Sequence, residues 1–299
     1  GGKSASIIVT VQEDGPVLQS IQITGEGVEN NALTIKSNQR HQLSAKLNPE
    51  NAVVGALTWS SSDSSVATVN GNGLVTPKAP GVSAITVTAG NRHASIVLTV
   101  VKADSTFPDV PKSHHFYNDV EWLVSNKLTQ GNPDGTFGPK DDTTRAHTVV
   151  FLYRLAVQRG DKGAANYKPT AADYKRFPDV KEGSFAAKEI LWAASIGLTK
   201  GRNDGTFGGQ LPVTRAEMIT FLNRFATMEG SSSAANFKPS DKDYEKFTDV
   251  KKNTFAAREI LWGIDAGIVN GGEEKFNGNN STPREHMAAF LHRLDTHLN

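Results

Sequence analysis

The chain has 299 residues, 37% of them hydrophobic and none of them cysteine, with 32 Lys and Arg against 31 Asp and Glu. That apolar share supports folded cores rather than a disordered chain. The lack of cysteine excludes disulfides, thiolate metal sites and cysteine nucleophiles, and no run of about 18 apolar residues is present to span a membrane. Residues 1–103 hold 7 basic and 6 acidic side chains and residues 104–299 hold 25 of each, so neither part carries the one-sided charge of a nucleic-acid or anionic-membrane binder.

No secretory leader is expected at the start, which lacks a basic stretch, an apolar run and a cleavage pattern. Ala-Ser-Ile-Ile-Val-Thr-Val at 5–11 closely repeats Ala-Ser-Ile-Val-Leu-Thr-Val at 94–100. Residues 1–16 are therefore expected to be the remnant last strand of a preceding domain, in a longer protein with tandem sandwiches. Beyond them, short alternating or β-branched runs at 21–24, 33–36, 42–47, 67–70, 83–88 and 95–100 are separated by turn residues. Asn70-Gly71-Asn72-Gly73 is a hairpin signal. Six or seven short strands at this spacing predict a β-sandwich over 17–103.

From residue 107 the chain repeats itself. Three segments open with Phe107-Pro108-Asp109-Val110, Phe177-Pro178-Asp179-Val180 and Phe247-Thr248-Asp249-Val250. Each continues through a Phe (Phe116, Phe185, Phe255), a Trp (Trp122, Trp192, Trp262), a Gly (Gly131, Gly201, Gly271), a turn with a Phe, and an Arg (Arg145, Arg215, Arg284). Each closes on Phe-Leu-X-Arg at 151–154, 221–224 and 290–293. The repeats are placed at 107–159, 177–229 and 247–297. In the second, Ile190, Leu191 and Ala194 against Lys188 and Glu189 predict a short amphipathic helix over 186–195, with Gly197 as its C-cap. Asn203-Asp204-Gly205-Thr206 is a turn, and Thr214 opens a second helix whose face is Met218, Phe221, Leu222 and Phe225. Such a unit is too small to bury its apolar face alone, so the three are expected to share a core. The Gly-, Ser- and Ala-rich stretches 160–165 and 229–235 read as mobile loops.

Candidate site residues each have two readings. Thr214 and Glu217 form a capping box. Thr282 with Glu285 forms the same box one residue over, and Thr144 with His147 an incomplete one. A helix N-terminus disfavours a cation, so Arg145, Arg215 and Arg284 need a further reason. Either they pair with a carboxylate such as the Asp of the opening unit, or they join free backbone N–H groups in binding an anion. Trp122, Trp192 and Trp262 are core residues or stacking faces for a sugar ring. Asp134 and Asp204 are turn residues or hydrogen-bond partners of sugar hydroxyls. Asp109, Asp179 and Asp249 read as structural. No metalloprotease, nucleophile-elbow, P-loop or dinucleotide motif occurs, and no histidines cluster at ligand spacing. Neither an enzyme nor a metal site or other cofactor is expected.

The repeated unit Phe-X-Asp-Val, Gly-X-X-Asp-Gly-Thr-Phe and Thr-Arg-Ala-Glu resembles S-layer homology domains over 107–296. The resemblance implies a compact, all-α, pseudo-three-fold helical bundle whose inter-repeat grooves bind secondary cell-wall polysaccharides, often through a pyruvylated amino sugar whose carboxylate meets the Arg. It implies a secreted protein attached to the cell wall. In the common family form a Trp follows a His near the start of the first helix; Phe116, Phe185 and Phe255 stand there in this sequence. Residues 17–103, through Leu57-Thr58-Trp59-Ser60, Val66-Ala67-Thr68-Val69 and Gly81-Val82-Ser83-Ala84, resemble a bacterial Ig-like domain of group 2, commonly a spacer. Trp59 is expected in its core. The glycan-binding candidates are thus Arg145, Arg215, Arg284, Trp122, Trp192, Trp262, Asp134, Asp204, Thr144, Thr214 and Glu217. The alternatives are a protein-interaction module, or an inert spacer of a larger surface enzyme.

Overall fold

The computed structural model describes residues 15–299, which divide into two compact units with the boundary between Pro108 and Asp109. The expected remnant strand lies almost wholly outside the described residues.

The first unit is built of strands β1 (Ser20–Thr24), β2 (Ala32–Lys36), β3 (His41–Gln42), β4 (Ser44–Asn48), β5 (Thr58–Ser61), β6 (Ala67–Val69), β7 (Leu74–Pro77), β8 (Gly81–Ala89) and β9 (Arg92–Val101). They form sheets ordered β1-β4, β2-β9-β8-β5 and β3-β7-β6. Side chains alternate across a strand, so Ile85 and Val87 of β8 and Ile96, Leu98 and Val100 of β9 point to one side and are buried. Ile21, Ile23, Leu33, Ile35, Leu43 and Val75 complete this core, and Trp59 packs half-buried against it. The β6–β7 hairpin forms where the Asn-Gly pairs predict it, in register Val69↔Val75. Asn70 Oδ1 accepts from the backbone N–H of Asn72 and of Leu74, each at 3.0 Å. Gly73 has φ +81° and lies so close to the Leu43 carbonyl that a Cβ would collide with it. A non-glycine residue would meet both obstacles.

The second unit is helical. Its helices are α1 (Tyr117–Ser125), α2 (Arg145–Gln158), α3 (Lys162–Asn166), α4 (Ala187–Ser195), α5 (Arg215–Met228), α6 (Ser232–Asn236), α7 (Ala257–Asp265) and α8 (Arg284–Leu298). Each repeat supplies a short first helix (α1, α4, α7) and a longer second one (α2, α5, α8). The first helix packs against the second helix of another repeat: α4 on α2, α7 on α5, α1 on α8. Backbone hydrogen bonds then tie the three together in a closed circuit. Val213 N–H donates to Thr143 O at 2.8 Å, Thr143 N–H to Thr282 O at 2.8 Å, and Thr282 N–H to Val213 O at 3.0 Å.

The opening Asp of each repeat holds its turn. Asp109 accepts from the N–H of Phe137 (2.9 Å) and Gly138 (2.7 Å). Asp179 accepts from Phe207 (2.9 Å) and Gly208 (2.8 Å), and Asp249 from Phe276 and Asn277, each at 2.8 Å. Both oxygens of each carboxylate are spent on backbone donors, which is a structural role. The glycine before the turn lets the opening aromatic lie on the backbone: a Cβ at Gly201 or Gly271 would run into the Phe177 or Phe247 ring.

The stretches read as mobile loops contain helices. Asp161 caps α3 and Ser231 caps α6, and Ala164 and Ala234 are fully buried. Tyr153 Oη donates to Ala164 O at 2.9 Å, and Arg258 Nη2 donates to Ala234 O at 2.6 Å. Small side chains suit a one-turn helix pressed against a larger one, and composition alone does not separate that use from a loop.

Candidate functional site

The three arginines each begin a second helix and reach across to the next repeat. Arg145 Nε donates to Phe207 O at 3.0 Å, Arg215 Nε to Phe276 O at 3.1 Å, and Arg284 Nε to Phe137 O at 2.8 Å. Each guanidinium also stacks on the ring whose carbonyl it holds, at 5.2, 4.6 and 4.8 Å from the centroid. The cation at a helix start is thereby explained: its charge serves the carbonyl and ring face of a neighbour. Burial is the main cause that lowers all three pKa values, offset for Arg145 by Glu217. A guanidinium starts far enough above neutral pH to remain charged there.

The backbone N–H groups expected to help bind an anion are occupied. Arg145 and Ala146 donate to Leu211 O and Gly209 O, Arg215 and Ala216 to Asn280 O and Gly278 O, and Arg284 and Glu285 to Asp141 O and Pro139 O. Inter-repeat pairing has taken the donors that a free helix end would offer. Any anion recognition rests on side chains.

Thr214 and Glu217 form the expected capping box, and Thr144 Oγ1 accepts from His147 N–H at 3.2 Å. Thr144 and Thr214 act within their own helix starts, whereas Glu217 also accepts from Arg145 Nη1 of the first repeat at 2.9 Å. The box expected from Thr282 and Glu285 is absent. Pro283 is the N-cap residue of α8, the Thr282 hydroxyl has no hydrogen-bond partner among the described residues, and Glu285 is buried. Lys140 Nζ donates to Glu285 Oε1, and His114 Nε2 stands 3.5 Å from its Oε2. With Pro283 in the place that Thr144 and Thr214 hold, Thr282 falls one residue too early to reach the helix N–H groups.

Asp134 and Asp204 close their own turns. Asp134 Oδ1 accepts from Thr136 N–H at 2.9 Å and from its hydroxyl at 2.7 Å; Asp204 Oδ1 does the same with Thr206 at 2.9 and 2.6 Å. The hydrogen bonds from Thr206 are also the main reason the Asp204 carboxyl titrates below its usual range.

The tryptophans do not form the stacking faces. Trp192 and Trp262 are 1% and 0% exposed. Trp192 meets the Tyr153 ring edge-on at 5.2 Å, and Trp262 meets His297 at 6.1 Å. Trp122 is half-buried and already stacked on His292 at 4.8 Å, which is held by Asp119 at 2.8 Å. Trp122 and Trp192 lie where a first helix meets another repeat's second helix, and Trp262 lies against His297 of α8 and Ser233 of α6.

The exposed aromatics are phenylalanines that sequence reasoning left out of the site. Phe185 is 57% and Phe255 64% exposed. Each is followed by an alanine with left-handed backbone, Ala186 at φ +61° and Ala256 at φ +59°. That conformation costs a non-glycine residue about 1 kcal/mol, and strain of this kind concentrates at functional positions. Phe185 lies 5.1 Å from His147, and Phe116 lies 5.3 Å from His286. A cleft of about 260 Å³ is lined by Arg284, His147, Arg154, Phe185, Asn132 and Gln130. A second, of about 220 Å³, is lined by Arg215, His286, Arg293, Phe116, His115 and Asn270. The two have the same parts: an Arg from one repeat, a His and an Arg from the next, and a Phe from the third. Burial first, and then the neighbouring arginines (Arg284 and Arg154 for His147, chiefly Arg215 for His286), lower the pKa of both histidines, so both are uncharged at neutral pH. The signal available in the sequence was the position of the three Phe, where the resembled family carries a Trp.

The family comparisons bear on what this arrangement is. The model of the bacterial Ig-like domain (group 2) matches residues 22–100, and that of the S-layer homology domain matches 106–149, 176–219 and 246–288. The chain carries one bacterial Ig-like domain followed by three S-layer homology domains. Among curated relatives, the "S-layer protein EA1" of Bacillus anthracis is 28% identical over 68% of this chain and 21% of its own length. The "Cellulosome-anchoring protein" of Acetivibrio thermocellus is 29% identical over 53% of this chain and 32% of its own. The "Lacto-N-biosidase" of Bifidobacterium bifidum is 40% identical over 31% of this chain and 8% of its own. The chain therefore spans a third or less of the length of these relatives. The clefts lie where one S-layer homology repeat meets the next, and each draws on all three.

Proposed function

We propose that the three S-layer homology repeats form a pseudo-three-fold bundle that anchors a secreted bacterial protein to its cell wall. The bundle binds a secondary cell-wall polysaccharide, bearing carboxylates, in the clefts between repeats. The Ig-like domain, taken as residues 17–103, spaces the bundle (repeats at 107–159, 177–229 and 247–297) from the rest of a longer chain. The observation that carries this reading is the meeting, in two similar clefts, of an arginine with a Phe ring: buried Arg284 with exposed Phe185, and half-buried Arg215 with half-buried Phe116. The guanidinium suits a carboxylate, and the ring suits the apolar face of a sugar. The relatives named for anchoring and for the S-layer support a surface role. Binding rather than catalysis follows from the recurrence of the same parts in each cleft.

The test is a calorimetric titration of soluble wall polymer into wild type, Arg215→Ala, Arg284→Ala and the double variant. A charge-assisted hydrogen bond contributes about 1.5–3 kcal/mol, so each single change is expected to weaken its cleft by roughly 10- to 100-fold. The double variant is expected to lose measurable binding. Unchanged binding by the double variant would reject the assignment.

A further inference from the structure

At one of the three repeat junctions the molecule already holds a carboxylate on its arginine. Arg145 Nη1 donates to Glu217 Oε1 at 2.9 Å, while Glu217 Oε2 accepts from the N–H of Thr214 at 2.9 Å. Both oxygens are engaged, so this carboxylate is fixed in place. Counting two residues past the repeat arginine, the position of Glu217 is taken by His286 in the third repeat and His147 in the first.

The other two arginines have no such partner. Beyond its bond to Phe137 O, Arg284 makes no hydrogen bond through its Nη atoms among the described residues, although it is 7% exposed. Arg215 gives Nε and Nη2 to the carbonyls of Phe276 and Asn270 and leaves Nη1. The carboxylates that act on them, Asp109 and Asp141 for Arg284 and Asp249 for Arg215, do so from beyond ion-pair distance. Asp109 and Asp249 are in any case committed to turn N–H groups. Both arginines line clefts, with the facing histidine in contact with a Phe.

We propose that the residue two positions past the repeat arginine selects which junctions accept an anionic ligand. His286 and His147 leave Arg215 and Arg284 open to a carboxylate from outside, and Glu217 occupies Arg145 as an internal substitute for it. The bundle then has two working grooves, and Glu217 is the specificity-determining residue of the third. The identity of the outside ligand rests on the anchoring reading; the selection itself does not.

The full chain, ¹⁵N-labelled at arginine, is titrated with sodium acetate against sodium chloride at matched ionic strength, and the Nε–H resonances are followed. In wild type, Arg215 and Arg284 are expected to shift saturably and Arg145 to stay. In Glu217→Gln, Arg145 joins them, and the number of sites rises from two to three. In His286→Glu, which supplies a carboxylate to the second junction, Arg215 falls silent; this variant carries the test should Glu217→Gln fail to fold. Arg145 shifting in wild type, Arg215 and Arg284 failing to shift, or Arg145 staying silent in folded Glu217→Gln would each overturn the proposal. Titrating the same proteins with soluble wall polymer separates the two claims. The expected acetate pattern without polymer binding rejects anchoring alone, and polymer binding that moves Arg145 equally in wild type rejects the groove selection alone.

Discussion

Trp192→Ala is expected to destabilise the helical unit by about 4 kcal/mol, within the range for deleting a large buried aromatic. The indole of Trp192 is 1% exposed and lies edge-on to Tyr153, in the contact of α4 with α2. Its removal leaves a cavity between two repeats that contribute to one core, and helices this short have little room to collapse inward. Trp262→Ala is expected to cost as much, because the Trp262 indole on α7 is fully buried as well. Trp122 is half-buried on His292 and its removal should cost clearly less. Urea unfolding followed by far-UV circular dichroism measures the differences as shifts of midpoint at constant slope. Stability retained in Trp192→Ala, with wall binding lost, would instead make the indole a ligand contact.

Arg159→Ala is expected to cost about 3 kcal/mol, although the residue lies far along α2 from the clefts. Arg159 follows the last residue of α2. Its Nε donates to Glu229 at 2.9 Å and its Nη1 to Asp295 at 2.6 Å, while Nη2 reaches Leu298 O at 3.1 Å. Glu229 belongs to the end of α5 and Asp295 to α8, so one guanidinium ties the three second helices together. Removing it leaves two mostly buried carboxylates without their shared cation, the situation in which a broken buried ion pair costs about 3–5 kcal/mol. The lower end is appropriate because both carboxylates keep some contact with water. Burial works to lower the Arg159 pKa, but the hydrogen-bonded carboxylates outweigh it and the net shift is upward. A raised folded-state pKa stabilises fully below the unfolded value and is lost only as pH passes the folded one. The arginine side of this contribution is therefore constant across the neutral range. Equal urea midpoints for wild type and Arg159→Ala would show that the cluster contributes nothing.

The sequence exposes some of this architecture and hides the rest, for definite reasons. The repeat was legible because Phe, Asp, Trp, Gly and Arg recur in register at 70 or 69 residues, and the α4 and α5 helices follow from apolar spacing closed by Gly197 and opened by the Thr214 box. Most Ig-like strands follow from alternation, although β5 and β7 carry too little of it to stand out. The arginine contacts were not legible, because each partner lies in the next repeat and the pairing between repeats is set by packing. The choice between core and exposed aromatics was not legible for a related reason. Trp192 and Phe185 are both large aromatics near one short helix, and periodicity does not say which meets another repeat and which meets solvent. The left-handed alanine that follows each exposed Phe is visible only in the backbone. The third capping box was read from spacing alone, and Pro283 moved the helix start past Thr282.

Anchoring itself is tested most directly by retention of the chain on purified, peptide-free cell-wall sacculi, before and after acid removes the polymer attached to peptidoglycan. The account predicts that native sacculi retain the wild-type chain, that stripped sacculi release it, and that Arg215→Ala with Arg284→Ala abolishes retention. Equal retention on native and stripped sacculi, or none on either, would contradict it.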